Sequence, residues 1–172
     1  MRFKIICGLA IMGLFTYGCN DPDDGSHADP ITVYEKINGD WNLMNLTMID
    51  EVAKANSTEP SEQNLSTYFN YENFKIRFDV DENMKPTTYQ VSGDVPPLFA
   101  PSGYWQLSSD FQQTDASAIK IYLYSDAQKK QQTDELRLTS VPGSNEEMEI
   151  QLVRISNDVP FISYVFKLSA AN

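Results

Sequence analysis

The stretch Phe74-Lys-Ile-Arg-Phe-Asp-Val80 alternates without a fault. Phe74, Ile76, Phe78 and Val80 fall on one face, and Lys75, Arg77 and Asp79 on the other. A period of two with one apolar face is the mark of a half-buried strand in an antiparallel sheet. The same pattern recurs through the rest of the chain. Ile119, Ile121 and Leu123 alternate with Lys120, Tyr122 and Tyr124; Met148, Ile150 and Leu152 alternate with polar residues; Ile162, Tyr164, Phe166 and Leu168 do so again near the C-terminus. Segments rich in Asp, Asn, Gly and Pro, such as DVDENMK, VPGSNEE and SNDVP, separate the runs as turns.

Eight runs can be counted: GDWNLMNLT, NFKIRFDV, TTYQVS, GYWQLSS, AIKIYLY, ELRLTSV, MEIQLVRI and FISYVFKL. An even number of hairpin-linked strands invites closure, which removes both unpaired edges. The expected fold is therefore all-β, an antiparallel up-and-down β-barrel of about eight strands over residues 36–172. Between Met48 and Tyr71 the alternation breaks. Leu65 and Phe69 stand four apart, a helical spacing, so a short helical lid over one barrel mouth is expected there.

Gly39 and Trp41 in INGDWNL have the Gly-x-Trp spacing that opens the first strand of lipocalin-like barrels. With LSTYFNYENFKIRF, SGYWQLSS, LRLTS and ISYVFKL in order, the chain resembles uncharacterised lipocalin-like lipoproteins of Bacteroidetes over most of residues 36–170. The resemblance implies that Gly39 and Trp41 close one end of the barrel, often under an arginine from the last strands. Arg154, in phase with Met148, Ile150 and Leu152, is the candidate for that cation, and its contact with an indole face would contribute about 0.5–2 kcal/mol.

The N-terminus carries a different message. Arg2 and Lys4 precede an apolar run from Ile5 to Phe15, too short to span a bilayer and suited to a signal peptide over residues 1–18. Gly18-Cys19 resembles the lipobox of bacterial lipoproteins, which implies lipid attachment at Cys19. The other reading is an ordinary secreted protein cut near Gly18. Cys7 leaves with the signal, so Cys19 is the one cysteine of the mature chain and no internal disulfide can form. Acyl chains, at about 0.8 kcal/mol per buried CH₂, make such an anchor effectively permanent.

Residues 19–35 then combine acid, Pro, Gly and Ser without apolar periodicity, as a flexible tether does. Asp21, Asp23 and Asp24 resemble the acidic cluster that routes Bacteroidetes lipoproteins to the cell surface. Localisation at the outer membrane follows from the resemblance, with the surface and the periplasmic leaflet both open. Removal of residues 1–18 leaves 11 basic and 24 acidic residues, a net charge of −13. Such a field repels phosphate backbones, so nucleic acid is not an expected partner.

Catalytic sets are hard to assemble. The single histidine, His27, lies in the tether, so no Ser-His-Asp triad, Cys-His pair or multi-histidine metal site can be built. The acids fall mainly at turns and outward strand positions, and no phosphate loop is present. The chain is expected to be no enzyme and to need neither metal nor cofactor. Two roles remain open: a ligand-binding or accessory barrel, serving uptake of a nutrient such as a glycan, and a docking subunit of an outer-membrane transport protein. The bulky inward residues predict a largely filled interior. Outside, Tyr122 and Tyr124 share a face, and Tyr104 is outward by the same parity; together they form a candidate sugar-stacking platform. Equally, tyrosine is simply a good strand residue with cross-strand partners.

Overall fold

In a computed structural model, which describes residues 29–114 and 117–171, the Phe74–Val80 stretch becomes strand β3, Lys75–Val80, with Ile76 and Phe78 buried. The expected signal segment 1–18, Cys19, the acidic cluster and His27 lie outside the described residues. β1 spans Gly39–Asp50, β2 Glu62–Asn64, β4 Pro86–Ser92, β5 Ser102–Leu107 and β6 Ile119–Tyr124. β7 spans Gln132–Ser140, β8 Glu147–Ser156 and β9 Val159–Ala170. Every pairing is antiparallel, and the sheet runs β2-β1-β3-β4-β5-β6-β7-β8-β9, with β1 also paired to β9. Eight strands, β1 and β3 to β9, thus close an up-and-down, lipocalin-like barrel.

Alternation places Trp105, Phe78, Ile121, Leu136, Ile150 and Phe166 inside, all fully buried. Phe78 and Trp105 lie 5.0 Å apart between ring centroids and Phe74 and Phe166 5.2 Å, so side chains fill the interior. No separate ligand is needed to complete this core.

One end is closed by a short helix, α1, Val33–Ile37. Thr32 and Glu35 form a reciprocal capping box that starts it. Val33, Tyr34 and Ile37 are buried in the barrel mouth. The Tyr34 ring packs 5.4 Å from Trp105, and its hydroxyl accepts the Leu107 amide at 3.0 Å. The folded unit therefore begins at Ile31, inside the span 19–35 expected to be tether. The capping box and the apolar plug residues explain the earlier start.

The segment after β1 also differs from expectation. β3 pairs with β1 only from Gly39 to Asn42, which leaves the second half of β1 without a partner on that side. Residues 62–64 fill the gap as β2, opposite Thr47–Ile49, and Leu46 is served by Leu65 and the Ser66 hydroxyl. Backbone pairing thus overrides the helical spacing of Leu65 and Phe69. Phe69 is 67% exposed with φ +55°. A 3₁₀ turn follows at Tyr71–Asn73, with Tyr71 buried. A second helix, α2, Glu51–Ala55, lies outside the barrel, where Glu51 accepts a hydrogen bond from buried Ser163.

Candidate functional site

Trp41 lies at the α1 end, buried, with its indole N–H donating to Ile37 O at 2.9 Å. Gly39 before it has φ +119°, a conformation that favours glycine. Arg154 is not near this indole. Trp41 pairs with Ala170 and Arg154 with Ile162, eight residues apart along β9 and so roughly 26 Å distant. The expected cation–indole contact is therefore corrected. Arg154 has the inward phase but sits at the opposite mouth, where its guanidinium meets Asp134 at 3.3 Å and donates to Leu98 O.

That mouth is crossed by the loop Gly93–Pro101, GDVPPLFAP. Its three prolines cannot donate to a strand ladder, so its carbonyls must find other partners. Four side chains from distant elements bind it. The Tyr71 hydroxyl donates to Pro96 O at 3.0 Å, Arg154 donates to Leu98 O, and the Tyr89 hydroxyl donates to Ala100 O at 2.9 Å. Asp134 accepts the Ala100 amide at 3.2 Å. Gly93 has φ +109°, and a Cβ there would lie 1.9 Å from Asn73 O, so no other residue fits this turn. Burial, reinforced by the nearby Asp134 charge, pushes the Tyr89 phenol up to about 12. Burial raises Tyr71 as well.

The three outward tyrosines meet on β5 and β6. Tyr104 stands directly opposite Tyr124 in the register, and Tyr122 opposite Gln106. Directly opposed positions have Cβ atoms about 4.5–5.5 Å apart, and positions two along a strand are about 6–7 Å apart. The three residues thus occupy neighbouring positions on one outer face, each half-buried. Gly103 permits the close approach of β5 to β6, since a Cβ there would sit 2.2 Å from Tyr124 O.

Beside Tyr104 runs a shallow groove of about 400 Å³ lined by Asp79, Thr88, Gln90, Ser102 and Ser125. Asp79 accepts from Thr88 at 3.2 Å and is held by Arg77 at 2.7 Å. On the other flank Lys120 pairs with Glu135 at 2.9 Å, and the hydrogen bond it donates to that carboxylate raises the lysine's pKa. Aromatic faces bordered by amide, hydroxyl and carboxylate groups can stack on the C–H face of a sugar and pair with its hydroxyls.

The chain belongs to the family described as Domain of unknown function (DUF5004), which matches residues 17–169. No curated protein and no solved structure matches it.

Proposed function

We propose that this protein is a lipid-anchored outer-membrane lipoprotein whose barrel captures glycans for nutrient uptake without catalysing a reaction. The observation that carries the reading is the outer face on which Tyr104, Tyr122 and Tyr124 are neighbours beside a polar groove. The anchor half rests on Gly18-Cys19 after an apolar signal-like run, together with the resemblance to Bacteroidetes lipoproteins. The family match begins at Tyr17, so Cys19 and the acidic stretch after it fall within the matched region. A barrel on a flexible tether concentrates its binding face near membrane partners without high intrinsic affinity. A glycan array probed with wild type and with Tyr122→Ala/Tyr124→Ala tests the platform. Loss of a wild-type signal in the double variant supports it, and turnover of any glycoside by the purified protein would contradict the non-catalytic part.

A second reading, a docking subunit of an outer-membrane transport protein, draws on the β8–β9 hairpin. Its tip residues Asn157 and Asp158 both have positive φ, as the tight two-residue hairpin turn requires. This rigid turn displays Ile155, Val159 and Phe161, which are 55%, 58% and 40% exposed. Stable co-purification with one membrane protein, lost in Ile155→Asp/Phe161→Asp and accompanied by no glycan signal, would favour this role over glycan capture.

A further inference from the structure

We infer that the cavity between the Gly93–Pro101 loop and the barrel wall is a preformed site for a single small aromatic ring. The cavity measures about 170 Å³, close to an engineered apolar cavity of about 150 Å³ in another protein that accepts benzene. Phe166 is its aromatic corner. Phe74 lies 5.2 Å from Phe166 at 37°, and Phe99 lies 6.0 Å away at 74°. A ring placed against this corner meets both faces and edges, the arrangements aromatic pairs prefer. Three of the seven loop residues that line it, Pro96, Pro97 and Pro101, are prolines, which present C–H surface and no backbone donor. Ser92 and Asp94 supply the polar border, and Asp94 can accept a hydrogen bond from a ring hydroxyl or ring N–H. The ligand class is thus a ring about the size of benzene or phenol carrying at most one donor.

The cavity stays open for a mechanical reason. A gap of this size closes if its lining can relax, but the loop that forms one wall is tied at Pro96, Leu98 and Ala100 by Tyr71, Arg154, Tyr89 and Asp134. A site whose walls are fixed before binding loses little conformational freedom when the ligand arrives. The barrel interior below is filled by Trp105 and Phe78, so the site lies at the mouth. It shares no lining residue with the groove beside Tyr104 and is independent of the glycan reading.

The test is an NMR titration of the purified full-chain protein with phenol, and with cyclohexanol as a non-aromatic ring of the same size. Phenol should give saturable shifts at Tyr71, Phe74, Val91, Phe99 and Phe166, with a Kd of about 1 mM or tighter. It should bind about three- to tenfold more tightly than cyclohexanol. Val91→Phe fills the cavity and should abolish the shifts while leaving the far-UV circular dichroism unchanged. Phe99→Ala, which removes bulk, should admit indole. Absence of saturable shifts at these residues would overturn the proposal. Equal affinity for cyclohexanol, or phenol binding unaffected by Val91→Phe, would overturn it as well.

Discussion

The guanidinium of Arg154 on β8 lies 3.3 Å from the carboxylate of Asp134 on β7, and the two residues together hold the loop that crosses the barrel mouth. Asp134 is nearly covered, at 11% side-chain exposure, whereas Arg154 is 41% exposed. The pair therefore lies between a surface ion pair, which contributes little, and a buried one, whose disruption is severe.

Arg154→Met keeps the packing of the stem and removes both bonds. It should destabilise the fold by about 1–2 kcal/mol. The more specific effect is local: amide exchange at Ala100, whose N–H donates to Asp134, should accelerate more than in β8 itself. Equal protection in the variant and wild type would show that the loop does not depend on Arg154.

Trp41 makes a different contribution at the other end. Trp41→Ala should cost about 3–5 kcal/mol through lost burial and the cavity left behind. Trp41→Phe should cost less, with loss of the hydrogen bond to Ile37 O contributing about 1 kcal/mol. Urea unfolding measures both, and a near-neutral Trp41→Ala would contradict the closure of the barrel by α1 and this indole.

Much of this architecture is legible in the residues. The eight alternating runs correspond to β1 and β3 to β9, because one buried face imposes a period of two on every strand. β2 escapes because its three residues, Glu62, Gln63 and Asn64, are all exposed and carry no apolar alternation. α1 is signalled by Thr32 and Glu35 at capping-box spacing, but the acidic, proline-containing stretch before it hides the boundary. Arg154 shows a subtler gap. Parity gives the face of the barrel, while the end is set by strand direction. In an up-and-down barrel β8 runs parallel to β1, so the start of β1 and the end of β8 must lie at opposite mouths. The clamp on Gly93–Pro101 brings together residues from four separated segments, and no local pattern announces it.

The buried tyrosines predict an alkaline limit to stability. Tyr89 is neutral in folded and unfolded chains below pH 10. Between pH 10 and about 12 the unfolded chain loses this proton while the folded chain keeps it. Stability should therefore fall as pH rises through that window, by up to about 1.4 kcal/mol per pH unit from this group. Tyr34 and Tyr71, also raised by burial, act in the same direction. Tyr89→Phe should flatten the decline without removing it, as measured by urea midpoints from pH 9 to 12. An unchanged slope would show that Tyr89 ionises equally in both states.

Attachment of lipid is tested at Cys19. Labelling with a palmitate analogue in the native host should mark the wild type, while Cys19→Ala should be unlabelled and recovered in the soluble fraction. Labelling that survives the substitution would contradict the anchor.

The glycan reading is tested most directly by titrating the purified protein with the oligosaccharide that gives the strongest array signal. Stacking on an aromatic face survives a change of ring but not its removal, so Tyr122→Phe/Tyr124→Phe should bind within about threefold of wild type, less than about 1 kcal/mol. Tyr122→Ala/Tyr124→Ala should bind at least about tenfold more weakly, about 1.4 kcal/mol, while the barrel stays folded by circular dichroism at the temperature of the titration. Binding undiminished in the alanine double variant, or no saturable glycan binding by the wild type, would contradict the account.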